Sequence, residues 1–315
     1  MAKLLHGFDD SGAWRGGFVT IGNFDGVHRG HQSMVEKLVG QARAAGVPAV
    51  VLTFNPHPIR LLRPDKAPPS LSTIRRKAEL LGHHGVDYVI AYPTNRDLLD
   101  LTPRAFFDQI VLGKLDARGL IEGPNFFFGR DRAGDTSTLR QYCDASGLRL
   151  TIVKPIRNGD ELVSSSVIRK LISDGAIEEA VRLLGHPYRM EGIVARGAER
   201  GRTLGFPTAN LSRIETLLPL DGVYSGRCVV DGQSLAAAIN IGPNPTFAED
   251  RRKVEVHLLD FDGELYGSML SVDLLARIRK TKAFDSVDQL RKQIQKDIEL
   301  IRHSVSLGDD TFPNG

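Results

Sequence analysis

The chain has 315 residues, 41% of them hydrophobic and 25% charged, the balance of a globular protein with room for two domains, each with its own core. Its net charge is only +3, with lysines and arginines spread along the chain. That suits anionic small molecules better than a nucleic-acid groove, and clusters such as Arg251-Arg252-Lys253 read as solvated faces. Cys143 and Cys228 form no C-x-x-C pair, which excludes a zinc ribbon or a disulfide framework, and no apolar run has the length of a leader or a membrane span. The expectation is a cytoplasmic protein with free thiols and no membrane or nucleic-acid partner.

The first expected strand, residues 18–21, empties into Gly22-Asn23-Phe24-Asp25-Gly26-Val27-His28-Arg29-Gly30-His31. Met34, Leu38, Val39 and Ala42 follow at helical spacing, so a helix is expected to begin near His28, with His28 and His31 one turn apart on one face. Free N–H groups at such a helix start attract anions. Gly26 and Gly30 carry no Cβ, so a polyphosphate can approach the backbone and also meet imidazole donors.

Further strands are expected at 49–54, 86–92, 118–122 and 149–154, with amphipathic helices between them. Thr102-Pro103 signals a helix start and Ala45-Gly46-Val47-Pro48 a stop. This alternation predicts an α/β fold with a doubly wound parallel sheet, whose ligands sit beyond the carboxyl ends of the strands. Asn55-Pro56-His57-Pro58 and Gly123-Pro124-Asn125-Phe126 follow two of those ends, so three strand ends converge on one crevice.

Two short helices are expected at 165–172 and 177–184, and Gly185-His186-Pro187 breaks the pattern. Alternating strands then follow at 188–195, 223–230, 235–241, 254–260 and 268–275, the pattern of a small antiparallel barrel. Ser286 with Gln289 forms a capping box for a last helix whose Val287, Leu290, Ile294, Ile298 and Ile301 share one face. The expected domains are residues 1–185 and 186–306.

Inside the barrel segment, Arg200-Gly201-Arg202-Thr203-Leu204-Gly205-Phe206-Pro207-Thr208-Ala209-Asn210 combines glycines, basic residues and two polar side chains. In an extended chain Thr208 and Asn210 face the same way. Taken alone they are ordinary turn chemistry, but their oxygens also suit a magnesium ion that keeps most of its waters and bridges to nucleotide phosphates. In Val254-Glu255-Val256-His257-Leu258, Glu255 is either an outward edge residue or a base that takes a hydroxyl proton as that oxygen attacks a γ-phosphate.

The His28-Arg29-Gly30-His31 turn resembles the signature of the α/β nucleotidyltransferases. The longer string from Gly22 to His28 resembles that of the bacterial bifunctional riboflavin kinase/FAD synthetases. The same family is matched by Phe54-Asn55-Pro56-His57-Pro58, Asn125-Phe126-Phe127-Phe128-Gly129 and Ser164-Ser165-Ser166-Val167-Ile168-Arg169. In the second half it is matched by Pro207-Thr208-Ala209-Asn210, Gly222-Val223-Tyr224, residues 240–247, Glu255 to His257 and Leu265-Tyr266-Gly267.

The resemblance implies an amino-terminal nucleotidyltransferase domain and a carboxy-terminal riboflavin kinase barrel, with riboflavin, FMN, FAD and ATP/ADP as substrates and products. It implies Glu255 as kinase base, and His28, His31 and Arg169 as stabilisers of triphosphate charge. It further implies substrate contacts at Gly22, Asn23, Phe24, Asp25, Gly30, His57, Asn125, Ser164, Ser165, Ser166, Arg200, Gly201, Gly205, Pro207, Thr208, Asn210 and Arg279, with Mg2+ at Thr208 and Asn210. The family more often has threonine at Ser166 and an acid at Asn125, and usually glutamate at Thr281. A chain with one live activity and a non-catalytic flavin or nucleotide sensor are the alternatives.

Overall fold

In the computed structural model, which describes residues 1–308 apart from 9–10, 160, 198–199, 245 and 247–248, the alternation of the first half becomes one parallel sheet. Its strands are β1 (Lys3–Leu5), β2 (Phe18–Ile21), β3 (Ala49–Asn55), β4 (Tyr88–Pro93), β5 (Gly119–Glu122) and β6 (Arg149–Ile152), in the order β1-β4-β3-β2-β5-β6. The period-two pleat sorts the strand residues onto two cores. Val19, Ile21, Val50, Leu52 and Leu120 join Phe106, Phe107, Leu139 and Cys143 in one. Phe18, Ala49, Val51, Val89 and Ile121 join Val35 and Leu38 of helix α1 (Arg29–Ala45) and Leu80 and Leu81 of helix α2 (Ile74–His83) in the other. Burial on both faces is what an all-parallel sheet requires.

The order reverses between β2 and β5, the switch point at which ligands of such sheets bind. There the ladder pairs only Phe18 with Gly119 and Val19 with Leu120. The N–H of Ile21 instead donates to Glu122 Oε1 at 2.8 Å. β1 was not expected: three residues at a sheet edge carry no period to read, and pairing with β4 creates the strand.

A two-stranded hairpin, β7 (Arg157–Asn158) and β8 (Glu161–Leu162), precedes the expected helices, now α3 (Ser165–Ser173) and α4 (Ile177–Leu184). Six strands then close a barrel: β9 (Tyr188–Ala195), β10 (Ala209–Ser212), β11 (Gly222–Val230), β12 (Gln233–Asn244), β13 (Glu249–Leu258) and β14 (Met269–Arg279), in the order β10-β13-β12-β11-β14-β9. β10 was not among the expected strands. It closes the barrel by pairing with both β9 and β13. Helix α5 (Val287–Gly308) packs on β11, β12 and β14, its start capped by Ser286 Oγ accepting the Gln289 N–H at 3.3 Å.

By packing, the chain divides into Met1–Pro68 with Thr73–Ser164, and Pro69–Ser72 with the residues from Ser165 onward. The short Pro69–Ser72 segment is held in the second unit: Leu217 donates its N–H to Ser70 O at 2.9 Å, and Arg169 Nε donates to Pro69 O at 2.8 Å.

The barrel also holds a shielded ion pair. Arg189 on β9 meets Asp273 on β14 through two hydrogen bonds of 2.7 and 2.8 Å, with side-chain exposures of 20% and 12%. Removing one partner strands the other charge away from water. Arg189→Met is therefore expected to lose about 3–5 kcal/mol of stability in urea unfolding, and the double variant Arg189→Met, Asp273→Leu to recover much of that loss.

Candidate active sites

The loop between β2 and α1 turns through three left-handed residues: Phe24 at φ +47°, Gly26 at +80° and Val27 at +39°. A β-branched residue in that region is strained, and strain of this kind is stored where a loop must hold one shape. Phe24 and Val27 are buried, which anchors the turn. A Cβ at Gly22 would lie 3.2 Å from the Phe24 ring, so a glycine there leaves room for that anchor.

α1 begins at Arg29, and His28 is its N-cap rather than its first helical residue. His28 Nδ1 accepts the His31 N–H at 3.4 Å, and the two rings stack with centroids 3.7 Å apart. The two histidines thus share a site, as expected, but the His31 N–H is not free for an anion because His28 already caps it. Gly30 also has a packing role that the sequence did not suggest. A Cβ there would lie 3.2 Å from the His28 ring, so its absence makes room for the stacked imidazole.

Burial, then the neighbouring His28 and then Lys77, hold His31 well below the ordinary histidine pKa. Its Nδ1 and the Oδ1 of Asn23 are buried without hydrogen-bond partners. Orphaned polar atoms are costly in a folded protein, and two so close, one in the loop and one in the first turn of α1, mark a place where a polar ligand completes the bonding. Asp25 is buried in the same loop.

The other expected residues of this half lie at strand ends or just beyond. His57 caps the short helix Pro58–Leu62, its Nδ1 accepting the Ile59 N–H at 3.2 Å. Asn125 is exposed on the loop after β5. β3, β2 and β5 are adjacent and parallel, so the loops carrying His57, His28 and Asn125 leave the same edge of the sheet. Ser164 ends the first packing unit, whereas Ser165, Ser166 and Arg169 on α3 belong to the second.

Two residues that the sequence did not single out stand at the carboxyl end of β2, one on each side of it. Burial pushes the Glu122 carboxyl well above its usual range, against the pull of the Ile21 N–H. Lys77 donates to Asn23 O at 2.5 Å and to Thr53 Oγ1 at 3.2 Å. The signal for Lys77 was a lysine on the apolar stripe of α2, between Ile74 and Leu81.

In the barrel, the motifs fall into one transverse row. Asn210 on β10 pairs with Glu255 on β13, Glu255 with Asn240 on β12, Asn240 with Val223 on β11, and Val223 with Arg279 on β14. All five line one cleft, which also takes in Thr208, Asn244, Thr281 and Phe284, with Leu290 and Ile294 from α5. Val254, Val256 and Leu258 point into the barrel core, so the alternation of β13 sends Glu255 and His257 to the cleft. Asn244 Nδ2 donates to Glu255 Oε2 at 3.0 Å, and Asn240 Nδ2 donates to Asn244 Oδ1 at 3.2 Å. This chain fixes the carboxylate without neutralising it.

A second cavity, lined by Arg202, Asp262, Glu264 and Tyr266 among others, shares Thr208 and Asn210 with the first. Gly201 is required where the loop turns back: a Cβ would lie 2.4 Å from Phe206 O and 3.1 Å from Thr208 Oγ1. Gly205 takes φ +88° in the same turn. His257 donates Nδ1–H to Pro207 O at 2.8 Å, which ties the loop to β13. The side chain of Arg200 lies outside the described residues.

Arg279 is not a free cation. Its guanidinium pairs with the buried Asp297 at 2.9 Å and lies 5.7 Å from the Phe284 ring centre. Among the described residues of the cleft, Thr281 Oγ1 is buried without a hydrogen-bond partner. The donor set at Thr208 and Asn210, neutral oxygens near a carboxylate, fits a hydrated divalent cation, and no cluster of three His, Cys, Asp or Glu offers another site among the described residues.

Two family models match the chain in tandem: FAD synthetase over residues 10–167 and riboflavin kinase over residues 184–305. The bifunctional riboflavin kinase/FMN adenylyltransferase of Escherichia coli strain K12 is 37% identical over 298 residues, covering 94% of this chain and 95% of that one. The chain belongs to the bifunctional riboflavin kinase/FMN adenylyltransferase family. The Bacillus subtilis member is 35% identical, over 92% and 93% of the two chains. A solved structure described as a macrolide-efflux protein from Streptococcus pneumoniae is 31% identical, with a TM-score of 0.83 over 96% of this chain and 98% of that one. Among the described residues, no helix here is long and apolar enough to cross a membrane. The histidine turn lies within the FAD synthetase match and the Glu255 strand within the riboflavin kinase match.

The raised Glu122 carboxyl gives a signed pH test. Its stabilising contribution is complete below the unfolded carboxylate pKa of about 4.3 and is lost as pH rises through its higher folded value. Glu122→Gln keeps an acceptor for Ile21 but cannot ionise. The urea midpoint of the variant, relative to the native chain, is expected to rise steadily from pH 4 towards neutrality.

Proposed function

We propose that the chain makes FAD from riboflavin in two ATP-dependent steps, one in each half. The kinase step belongs to residues 186–306: the 5'-hydroxyl of the ribityl chain loses its proton to Glu255 and attacks the γ-phosphorus of ATP, the bond to the β-phosphate oxygen breaks, and FMN and ADP leave. The adenylylation step belongs to residues 1–185: an FMN phosphate oxygen attacks the α-phosphorus of ATP and pyrophosphate leaves. No protein nucleophile is needed there, because the acceptor carries its own.

The observation that carries this reading is the Asn210–Glu255–Asn240 row, with Asn244 bonded to Glu255. A carboxylate held by one amide in the first cavity, cross-strand from the Asn210 that both cavities share, is what a hydroxyl acceptor beside a nucleotide requires. On this reading the cleft with Phe284 and Thr281 receives the flavin, and the cavity with Arg202 and Tyr266 receives the nucleotide. Thr208 and Asn210 would hold Mg2+, which when bound supplies charge neutralisation to the transferring phosphates.

In the amino-terminal half, the support is the stacked His28–His31 pair beside orphaned Asn23 Oδ1 and His31 Nδ1. His28 and His31, with the backbone from Gly22 to Asp25, would bind the triphosphate. His57 and Asn125 would contact ligand from neighbouring strand ends. Ser164, Ser165, Ser166 and Arg169 are proposed as the second phosphate-binding string, which sets the functional boundary at 185/186. A cytoplasmic setting accords with two free, buried cysteines.

Two variants separate the steps. Glu255→Gln is expected to lose FMN formation by about 10²-fold or more while converting supplied FMN to FAD at the native rate. His31→Ala is expected to do the reverse, losing about 10²–10³-fold in FAD formation with FMN formation intact. Chromatography of flavins after incubation with ATP and magnesium reads both. Native FMN formation by Glu255→Gln would refute the base assignment.

A further inference from the structure

Lys77 is a charged side chain that the two steps above leave without a role. It lies on α2 with 7% of its surface exposed, among Arg76, Ala78, Leu80 and Leu81, all buried. Its ammonium, Thr53 Oγ1 and Asn23 O form a closed triangle: Lys77 donates to both partners, and Thr53 Oγ1 also donates to Asn23 O at 3.1 Å. Two elements of the sheet edge, the end of β3 and the loop after β2, are therefore tied to one buried cation.

That arrangement is more than the loop needs for its shape. Thr53 alone satisfies the Asn23 carbonyl, and an apolar side chain would fill the space without the cost of desolvating an ammonium. The bonds account for two of the three N–H donors of the lysine. The charges that act on it are few: Asp25 in the loop is the acid that favours its charged form, and His31 on α1 feels its charge in return. On its own helix, Arg76 is paired with Glu79 at 2.6 Å. Meanwhile the loop carries the orphaned Asn23 Oδ1, and the first turn of α1 the orphaned His31 Nδ1. A buried cation and an unsatisfied imidazole nitrogen, which donates in the tautomer protonated at Nδ1, together describe a site completed by an anion, whereas Asn23 Oδ1, an acceptor, calls for a donor.

We propose that Lys77 is a positioning residue of the adenylyl-transfer site, holding the Asn23 carbonyl and setting a fixed positive potential beneath the loop that receives the triphosphate. The proposal rests on the assignment of the His28–His31 loop to the triphosphate. A preorganised charge of this kind acts at low local dielectric and needs no rearrangement as negative charge moves during transfer. Burial lowers the Lys77 pKa to about 8, so the charge is present at neutral pH and is lost in mildly alkaline solution. An anion bound nearby favours the charged form, so the loss moves to higher pH in the ternary complex.

The test is FAD formation from supplied FMN and ATP across pH 6–10, with FMN formation from riboflavin measured in the same samples. In the native chain, kcat/KM for ATP in FAD formation is expected to fall above about pH 8, the value for free Lys77. The alkaline limb of kcat should lie higher, and FMN formation should lack the limb. Lys77→Met is expected to lose about 10²-fold in kcat/KM at pH 7 and to lose the limb with it. Lys77→Arg, which stays charged throughout the range, is expected to recover part of the rate and to show no fall near pH 8.

Lys77→Met within threefold of the native chain, or slowed but with the same alkaline limb, would overturn the proposal. The native profile tests it even if neither variant folds: a flat kcat/KM from pH 7 to 9.5 would also overturn it. Failure of the underlying assignment looks different, since then His31→Ala would leave FAD formation untouched, or the native chain would form none.

Discussion

A parallel sheet that winds outward in two directions must separate somewhere, and here it separates between β2 and β5. The ladder there ends after two pairs, and the Glu122 carboxyl takes the Ile21 N–H that a continued ladder would have used. The histidine turn of the first half hangs on this divergence. The backbone leaves β2 with its last donor held by a side chain, turns through Phe24, Gly26 and Val27, and enters α1 at the His28 cap. Buried side chains fix the turn from both sides, Phe24 from within and Lys77 through Asn23. The orphaned polar atoms that remain are therefore held in place before any ligand arrives, which is how a site can stabilise transferring charge without reorganising.

The barrel solves a different problem. Its cleft brings one carboxylate, Glu255, close to basic residues that are engaged elsewhere. Arg279 is committed to Asp297, and Lys282 donates to Gln293 at 3.2 Å. Glu255 is left with neutral amides for neighbours: Asn210 and Asn240 across the strands, Asn244 in direct contact. Closure by β10 is what brings Asn210 beside Glu255. A four-residue strand thereby joins two motifs that lie 45 residues apart in sequence numbering (255 − 210).

Much of this was legible in the sequence because period and punctuation are local. The apolar runs of β2 and β3, the capping pair Ser286 and Gln289, and the shift to alternating strands after Gly185 each state their own structure. What was not legible depends on partners far along the chain. β1 and β10 are strands only because β4, β9 and β13 offer them ladders. His28 reads as a helical residue until its ring is seen to bond the His31 N–H, and the packing of that ring over Gly30 has no signal in the sequence. Lys77 and Glu122 are ordinary surface residue types, and burial by α2 and at the switch point changes their chemistry.

Nucleotide and phosphate accounting tests the two-site account most directly. With riboflavin limiting and ATP and magnesium in excess, the account predicts that each riboflavin converted to FAD yields one ADP and one pyrophosphate, with FMN appearing before FAD. ADP without pyrophosphate, pyrophosphate only from supplied FMN, or flavin binding with neither product would contradict it.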